Sequence, residues 1–204
     1  MSLSDEKVQE YGTCSVCGRR GKYKAKRNNS MLKRVMIFID GSNMYHNMKN
    51  NFKKVSLNYH KFSNKLTGEE RELIRTYYYN CPLDQNENPA SYKEQQRFFN
   101  NLDNIPYLEV RLGRLQIKSD SRKIEKGVDV KLAIDMLSKA HKNQYDVAVL
   151  ISGDADFVEV VKEIKDLAKH VELAVFPDQH CHHLKKCSDR IILLNEDFMS
   201  DCWL

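Results

Sequence analysis

The residues best suited to chemistry are aspartates that follow apolar stretches of the sequence. Asp40 comes directly after VMIFI (35–39), and Asp154 and Asp156 follow VAVLIS in the segment SGDAD. A further acid, Asp129, opens a helix-like segment that begins KGVD. If these side chains meet, their repulsion requires a cation between them, and Mg²⁺ or Mn²⁺ suits carboxylate, water and phosphate oxygens. Such a metal lowers the pKa of a bound water, which can then attack phosphorus.

Each aspartate also has a purely structural interpretation. An Asp after a strand often caps the next helix by accepting a hydrogen bond from its first N–H groups. Asp154 or Asp156 could cap a helix beginning near Phe157. Ser42 could equally cap the helix that follows Asp40. Aspartates follow two separate strands, however, and this recurrence favours a metal site over unrelated helix caps.

Several polar side chains near these aspartates could contact a phosphate. Asn43 could orient a water or a phosphate through its amide, or it could be a local turn residue. Ser42 and Ser152 could bind phosphate oxygens, although serine is common in turns that contain Gly. Lys126 is either a phosphate ligand or a solvated lysine. Asp135 lies on a different side of its helix from Asp129, so we expect it to be structural or to support the site from outside it.

The segments that carry these residues alternate between two patterns. Strand-like, apolar runs cover 35–39, 72–80, 107–113, 145–152, 171–176 and 190–195. Helix-like spacing covers 42–52, 57–66, 92–103, 128–142, 156–170 and 182–189. Strands separated by helices predict βαβ crossovers and a mostly parallel sheet, with ligands beyond the carboxyl ends of the strands. The polar residues 114–127 are expected to form a loop, although Leu115 and Ile117 could extend a strand.

Two cysteines near the N-terminus have the spacing of a zinc site. Cys14 and Cys17 form a CxxC pair followed by Gly, and two such thiolates can bind one Zn²⁺ if two more ligands are supplied. Candidates of the right type are Cys181, His182, His183 and Cys187. Three alternatives stay open: a zinc site closed by this C-terminal cluster, a site shared between the two chains of a homodimer, or no metal.

A basic run follows the cysteine pair. Residues 19–34 contain eight Lys or Arg and no acid, whereas the whole chain has a modest net charge of +5. Such a run is either a solvated linker or a surface that neutralises nucleic-acid phosphates. The residues predicted to track a phosphate backbone are Arg19, Arg20, Lys22, Lys24 and Lys26. Tyr23 could stack on a base or could simply be a surface residue.

Composition limits the class of protein. Of the 204 residues 41% are hydrophobic and 30% charged, which is typical of a soluble globular protein. Neither a membrane-spanning run nor a signal-peptide pattern is visible, so we expect a cytoplasmic protein with no membrane partner. The expected organisation is a small basic appendage at 1–33, an α/β domain at 34–195 and a C-terminal tail at 196–204.

Three stretches resemble the signature blocks of the NYN family, in its LabA-like branch. They read FIDGSNMY, KGVDVKLAIDM and YDVAVLISGDADFVEVVKEI, in the same order as in the family. The family is related to PIN-domain nucleases, so the resemblance implies a PIN-like three-layer α/β/α sandwich and a divalent-metal ribonuclease. The positions that match its acidic and polar site residues are Asp40, Asn43, Asp129, Asp154 and Asp156. Residues 1–33 lie outside the resemblance.

The resulting hypothesis is an Mg²⁺- or Mn²⁺-dependent ribonuclease that acts on single-stranded RNA. Two alternatives remain: a module on the same fold that binds nucleic acid or protein without turnover, and a metal-dependent phosphatase for small phosphates. Binding of nucleic acid without metal-dependent cleavage would select the first alternative. Hydrolysis of mononucleotides but not of oligomers would select the second.

Overall fold

The computed structural model describes residues 11–13, 20–22, 32–117 and 123–204. The chain divides into two compact units, residues 1–31 and residues 32–204. In the first unit, strand β1 (Tyr11–Thr13) pairs antiparallel with strand β2 (Arg20–Lys22), which contains two of the predicted basic residues. The predicted residues that lie outside the described ones are Cys14, Cys17, Arg19, Tyr23, Lys24 and Lys26.

The second unit is built on a six-stranded sheet. The strands of this unit, in chain order, are β3 (Lys33–Asp40), β4 (Arg71–Asn80), β5 (Leu108–Leu112), β6 (Arg114–Ile117), β7 (Lys123–Lys126), β8 (Val147–Ile151), β9 (His170–Val175) and β10 (Arg190–Leu193). The sheet contains six of them, all except β6 and β7. The spatial order is β10-β9-β8-β3-β4-β5, and every neighbouring pair is parallel, as the alternation of patterns predicts. Strands β6 and β7 form a separate antiparallel pair, so the expectation of a loop was wrong for 114–117 and 123–126, and the alternative that Leu115 and Ile117 lie in a strand is confirmed.

Helices cover both faces of the sheet. Their bounds are α1 (Gly41–Phe52), α2 (Tyr59–Thr67), α3 (Pro89–Asp103), α4 (Val128–His141), α5 (Val158–Asp166), α6 (His182–Cys187) and α7 (Glu196–Met199). One buried cluster joins the sheet to α1, α2, α3 and α7, and the other joins it to α4, α5 and α6. The predicted three-layer α/β/α architecture is therefore confirmed for this unit.

The central strand β3 shows why both faces need cover. Val35, Ile37 and Ile39 contribute to one buried cluster, while Met36 and Phe38 contribute to the other. Alternate residues of a strand point to opposite faces, so an uninterrupted apolar strand is stable only between two helical layers. The final residue of β3 is its only acid, Asp40, which directly follows the apolar run.

The strand order creates a crevice at one end of the sheet. From β3 the chain proceeds to β4 and β5 on one side, and later to β8, β9 and β10 on the other. Ligands of such sheets bind beyond the carboxyl ends of the strands at the point where the winding reverses. Here that point lies between β3 and β8, which are the two strands followed by the predicted aspartates.

Residues 196–204, expected to be a tail, pack against the core. Met199 and Cys202 are fully buried, and the backbone N–H of Asn58 donates to the carbonyl oxygen of Cys202 at 2.7 Å. Trp203 forms an isolated bridge with Leu57. None of the helices in the described part of the chain is long and apolar enough to cross a membrane.

Candidate functional site

Asp40 combines a structural role with an unusual environment. It is the last residue of β3 and the N-cap of α1, where its Oδ1 accepts a hydrogen bond from the Asn43 backbone N–H at 3.0 Å. The cap of this helix is therefore Asp40 and not Ser42, which lies half-buried in the first turn. Asp40 is only 6% exposed, whereas carboxylates are rarely buried so deeply without a partner.

Ser152 joins the ends of β3 and β8. The register pairs Ile39 with Ile151, so the residues that follow the two strands are neighbours. The Ser152 hydroxyl donates to Asp40 Oδ2 at 3.0 Å and accepts from the Asp154 backbone N–H at 3.1 Å. Because Ser152 is only 1% exposed and its proton is used within the protein, it acts here as a link between two aspartates.

Asp154 is also a cap. Its Oδ1 accepts from the Asp156 backbone N–H at 3.0 Å and so closes the short 3₁₀ turn Ala155–Phe157 that precedes α5. Asp40 and Asp154 each cap a helix or turn, and the ends of the two strands that carry them are neighbours.

The four aspartates share one electrostatic environment. Burial raises the pKa of Asp40, hydrogen bonds from Asn43 and Ser152 lower it, and repulsion from Asp129 and Asp154 raises it further. Asp129, in the first turn of α4, has a raised pKa because of partial burial and repulsion from Asp154 and Asp156. None of the ion pairs between described residues includes any of these aspartates. Their negative charge is therefore uncompensated by that part of the chain.

The geometry limits the kind of metal that the aspartates could hold. Among the described residues, no group of three or more His, Cys, Asp or Glu side chains is placed to bind one ion. Within that part of the chain, a site that needs three or four protein ligands does not fit. Mg²⁺ usually takes one or two carboxylates and completes its shell with waters and substrate phosphates, and this donor set does fit.

The other sequence candidates are placed as follows. Lys126 is exposed at the end of β7, immediately before α4. Asp135 accepts a hydrogen bond from the buried Tyr79 hydroxyl at 2.9 Å, a structural contact. In the C-terminal cluster, the thiols of Cys181 and Cys187 donate to backbone carbonyls. The two histidines beside them, His182 and His183, are exposed. Zinc binding by the CxxC pair stays a prediction.

Two residues at the site were missed in the sequence. Gln179, which follows β9, donates through Nε2 to Asn43 Oδ1 at 2.8 Å, and Asn47 donates to the same oxygen at 3.1 Å. Gln179 follows β9, the strand next to β8, just as Asp40 ends β3 and Asp154 follows β8. The place of Gln179 after a strand was therefore a signal in the sequence. Asn47, inside α1, has no comparable signal.

The glycines beside Asp40 and Asp154 are expected to respond differently to Ala. A Cβ on Gly41 would lie 2.5 Å from the ring of Tyr78, which is 2% exposed, so Gly41→Ala should cost about 1–3 kcal/mol through overpacking. A Cβ on Gly153 would lie 2.3 Å from Gln179 Nε2, the end of a half-buried side chain that can shift at the cost of its hydrogen bonds, so the loss of stability should be smaller. Urea unfolding of both variants checks this, and equal losses would contradict it.

Comparisons with known proteins identify a family whose model covers most of the chain. The NYN domain model matches residues 34–195. The low amplitude and bright protein LabA of Synechococcus elongatus is 29% identical over 172 residues, covering 80% of this chain and 84% of LabA. A crystal structure of a Vibrio parahaemolyticus protein of unknown function has a TM-score of 0.68 at 22% identity, covering 83% of this chain and 98% of that one. The latter likeness shows the fold alone.

Proposed function

The chain belongs to the NYN domain family, and on that premise we propose that it is a divalent-metal-dependent ribonuclease. The observation that carries the proposal is the placement of Asp40. This carboxylate is nearly fully buried at the winding reversal of the sheet, is linked through Ser152 to Asp154, and forms no ion pair with described residues. Enzymes concentrate such perturbed carboxylates at reactive sites.

The residues proposed to hold Mg²⁺ or Mn²⁺ are Asp40, Asp129, Asp154 and Asp156, as one or two direct ligands with the others acting through water. The ion would supply positive charge to the phosphodiester and lower the pKa of a nucleophilic water. Ser152 fixes the orientation of Asp40, and the two caps fix the backbone that carries Asp40 and Asp154. In this proposal the chain holds the carboxylates in fixed positions, and these would orient the metal and the substrate.

The β6–β7 pair supports a phosphodiester substrate. Its register places Arg114 directly opposite Lys126, and both residues are exposed. Like charges opposite each other in an antiparallel pair are destabilising, and a phosphate bound between them would relieve that repulsion. Val128 and Asp129 follow Lys126 closely in the chain. An RNA whose phosphates contact Arg114 and Lys126 would therefore lie near Asp129. Arg20 and Lys22 in the N-terminal unit are proposed as further phosphate contacts.

The main alternative is a module on this fold that binds nucleic acid or protein without turnover. It is favoured by one observation: both Asp40 oxygens and one Asp154 oxygen already accept hydrogen bonds from the chain. Those contacts would stabilise the fold even if no metal ever bound.

Cleavage of a labelled single-stranded RNA by the full chain tests the proposal. We expect products with Mn²⁺ or Mg²⁺ and none with EDTA. RNA binding without products under any divalent ion would instead establish the binding module. Hydrolysis restricted to mononucleotides would indicate a phosphatase and would contradict the proposed substrate.

A further inference from the structure

The amide of Asn43 is held in one orientation. Its Oδ1 accepts two hydrogen bonds, one from Gln179 Nε2 at 2.8 Å and one from Asn47 Nδ2 at 3.1 Å. Its Nδ2 donates to no group in the part of the chain that is described. The side chain is half-buried, beside the Asp40 cap to which its own backbone N–H donates.

Both donors are themselves fixed by backbone contacts. Gln179 Oε1 accepts from the Phe176 backbone N–H at 3.0 Å, so the other end of its amide must be the NH₂ group. Asn47 Nδ2 donates to the Asn43 carbonyl oxygen at 2.8 Å, one turn earlier in α1. An amide whose oxygen receives two donors cannot be reversed without placing N–H groups against N–H groups. The NH₂ group of Asn43 is therefore the end left over for a ligand.

From this geometry we infer that Asn43 is a phosphate-oxygen donor and not a metal ligand, with Gln179 as the residue that positions it. The inference rests on the proposed ribonuclease function and assigns one contact within it. An amide nitrogen with two protons cannot coordinate a cation, but it can donate to an anionic oxygen. Among four uncompensated aspartates, such a neutral donor lets a phosphate approach without adding another negative charge.

Asn43→Asp removes the proposed donor and also adds a negative charge, so Asn43→Ala, which removes the donor without adding charge, is measured beside it. The new carboxylate can still accept from Gln179 and Asn47, so the hydrogen bonds that hold α1 are preserved and only the outward NH₂ group becomes an oxygen. Asn50→Asp, an exposed site on the same helix, is the matched control for added charge. Gln179→Glu keeps the acceptor for Phe176 but places an oxygen against Asn43 Oδ1, which favours reversal of the Asn43 amide.

The measurement is binding of a fluorescent single-stranded RNA in Mn²⁺ buffer, in the Asp154→Asn background to prevent cleavage. Removing one hydrogen bond to a charged group should weaken binding about 10- to 100-fold for Asn43→Asp relative to Asn50→Asp. Gln179→Glu should also weaken RNA binding. Calorimetry on the Asn43→Ala single variant, which removes the amide, should show Mn²⁺ affinity unchanged.

Each outcome has a distinct meaning. Equal RNA affinity of the Asn43→Asp and Asn50→Asp variants would overturn the inference and leave the proposed function standing. Weaker Mn²⁺ binding by Asn43→Ala would assign the residue to the metal and overturn the inference also. If the chain with native Asn43 binds no RNA in this assay, the proposed function fails, and the inference fails with it.

Discussion

Asp154→Asn will lower divalent-dependent cleavage of single-stranded RNA by about 10²- to 10³-fold, the usual loss when a preorganised group is removed from a transition state. Asn can still accept the hydrogen bond from the Asp156 backbone N–H, so the cap that Asp154 provides is retained. The variant loses only a negative charge at the end of β8. Initial rates at saturating Mn²⁺, with circular dichroism to confirm folding, measure the effect.

The matched control is Asp166→Asn, at the exposed end of α5. It makes the same chemical change on the element that follows Asp154, outside the four-aspartate site. Its rate should match the wild type. Retention of full activity by Asp154→Asn would remove this aspartate from the mechanism.

Mn²⁺ will stabilise the wild-type protein at neutral pH by about 2.7 kcal/mol when its concentration is 100 times the dissociation constant. The cause is the negative charge that described residues leave unpaired around Asp40. The raised pKa of Asp40 means that the folded state holds the proton more tightly than the unfolded state. In metal-free buffer, stability should therefore fall as pH rises from about 3.9, the unfolded value, through the folded pKa. Above that pH the whole cost is present, and Mn²⁺ offsets it.

Asp40→Asn separates this effect from the other carboxylates. The variant keeps an acceptor for the Asn43 backbone N–H, since Asn is as good an N-cap as Asp. We expect a weaker decline of stability with pH and a smaller gain from Mn²⁺. Urea unfolding at several pH values, with EDTA or Mn²⁺, provides both numbers. A pH profile identical to that of the wild type would show that Asp40 carries no such cost.

The central elements of the fold could be predicted because their residues carry local periodicity. The apolar run of β3 and the helical spacing of α4 and α5 each reflect burial against a neighbouring layer, and that pattern is visible within ten or fifteen residues. The β6–β7 pair was missed because each strand has only four residues, and so short an alternation does not by itself indicate a strand. The buried end of the chain, with Cys202 fully covered, was missed because short apolar segments give no period.

The candidate site likewise has one part that could be predicted from the sequence and another that could not. The sequence by itself determined which aspartates follow which strands, since a strand end and a helix start are local events. Only the tertiary structure decided that Ser152 lies between Asp40 and Asp154, and that Gln179 fixes the amide of Asn43 from 136 positions away. Those contacts depend on strand order and on the winding reversal between β3 and β8, which no local pattern encodes. A hydrogen bond between distant residues exists only after the sheet has brought their backbones together.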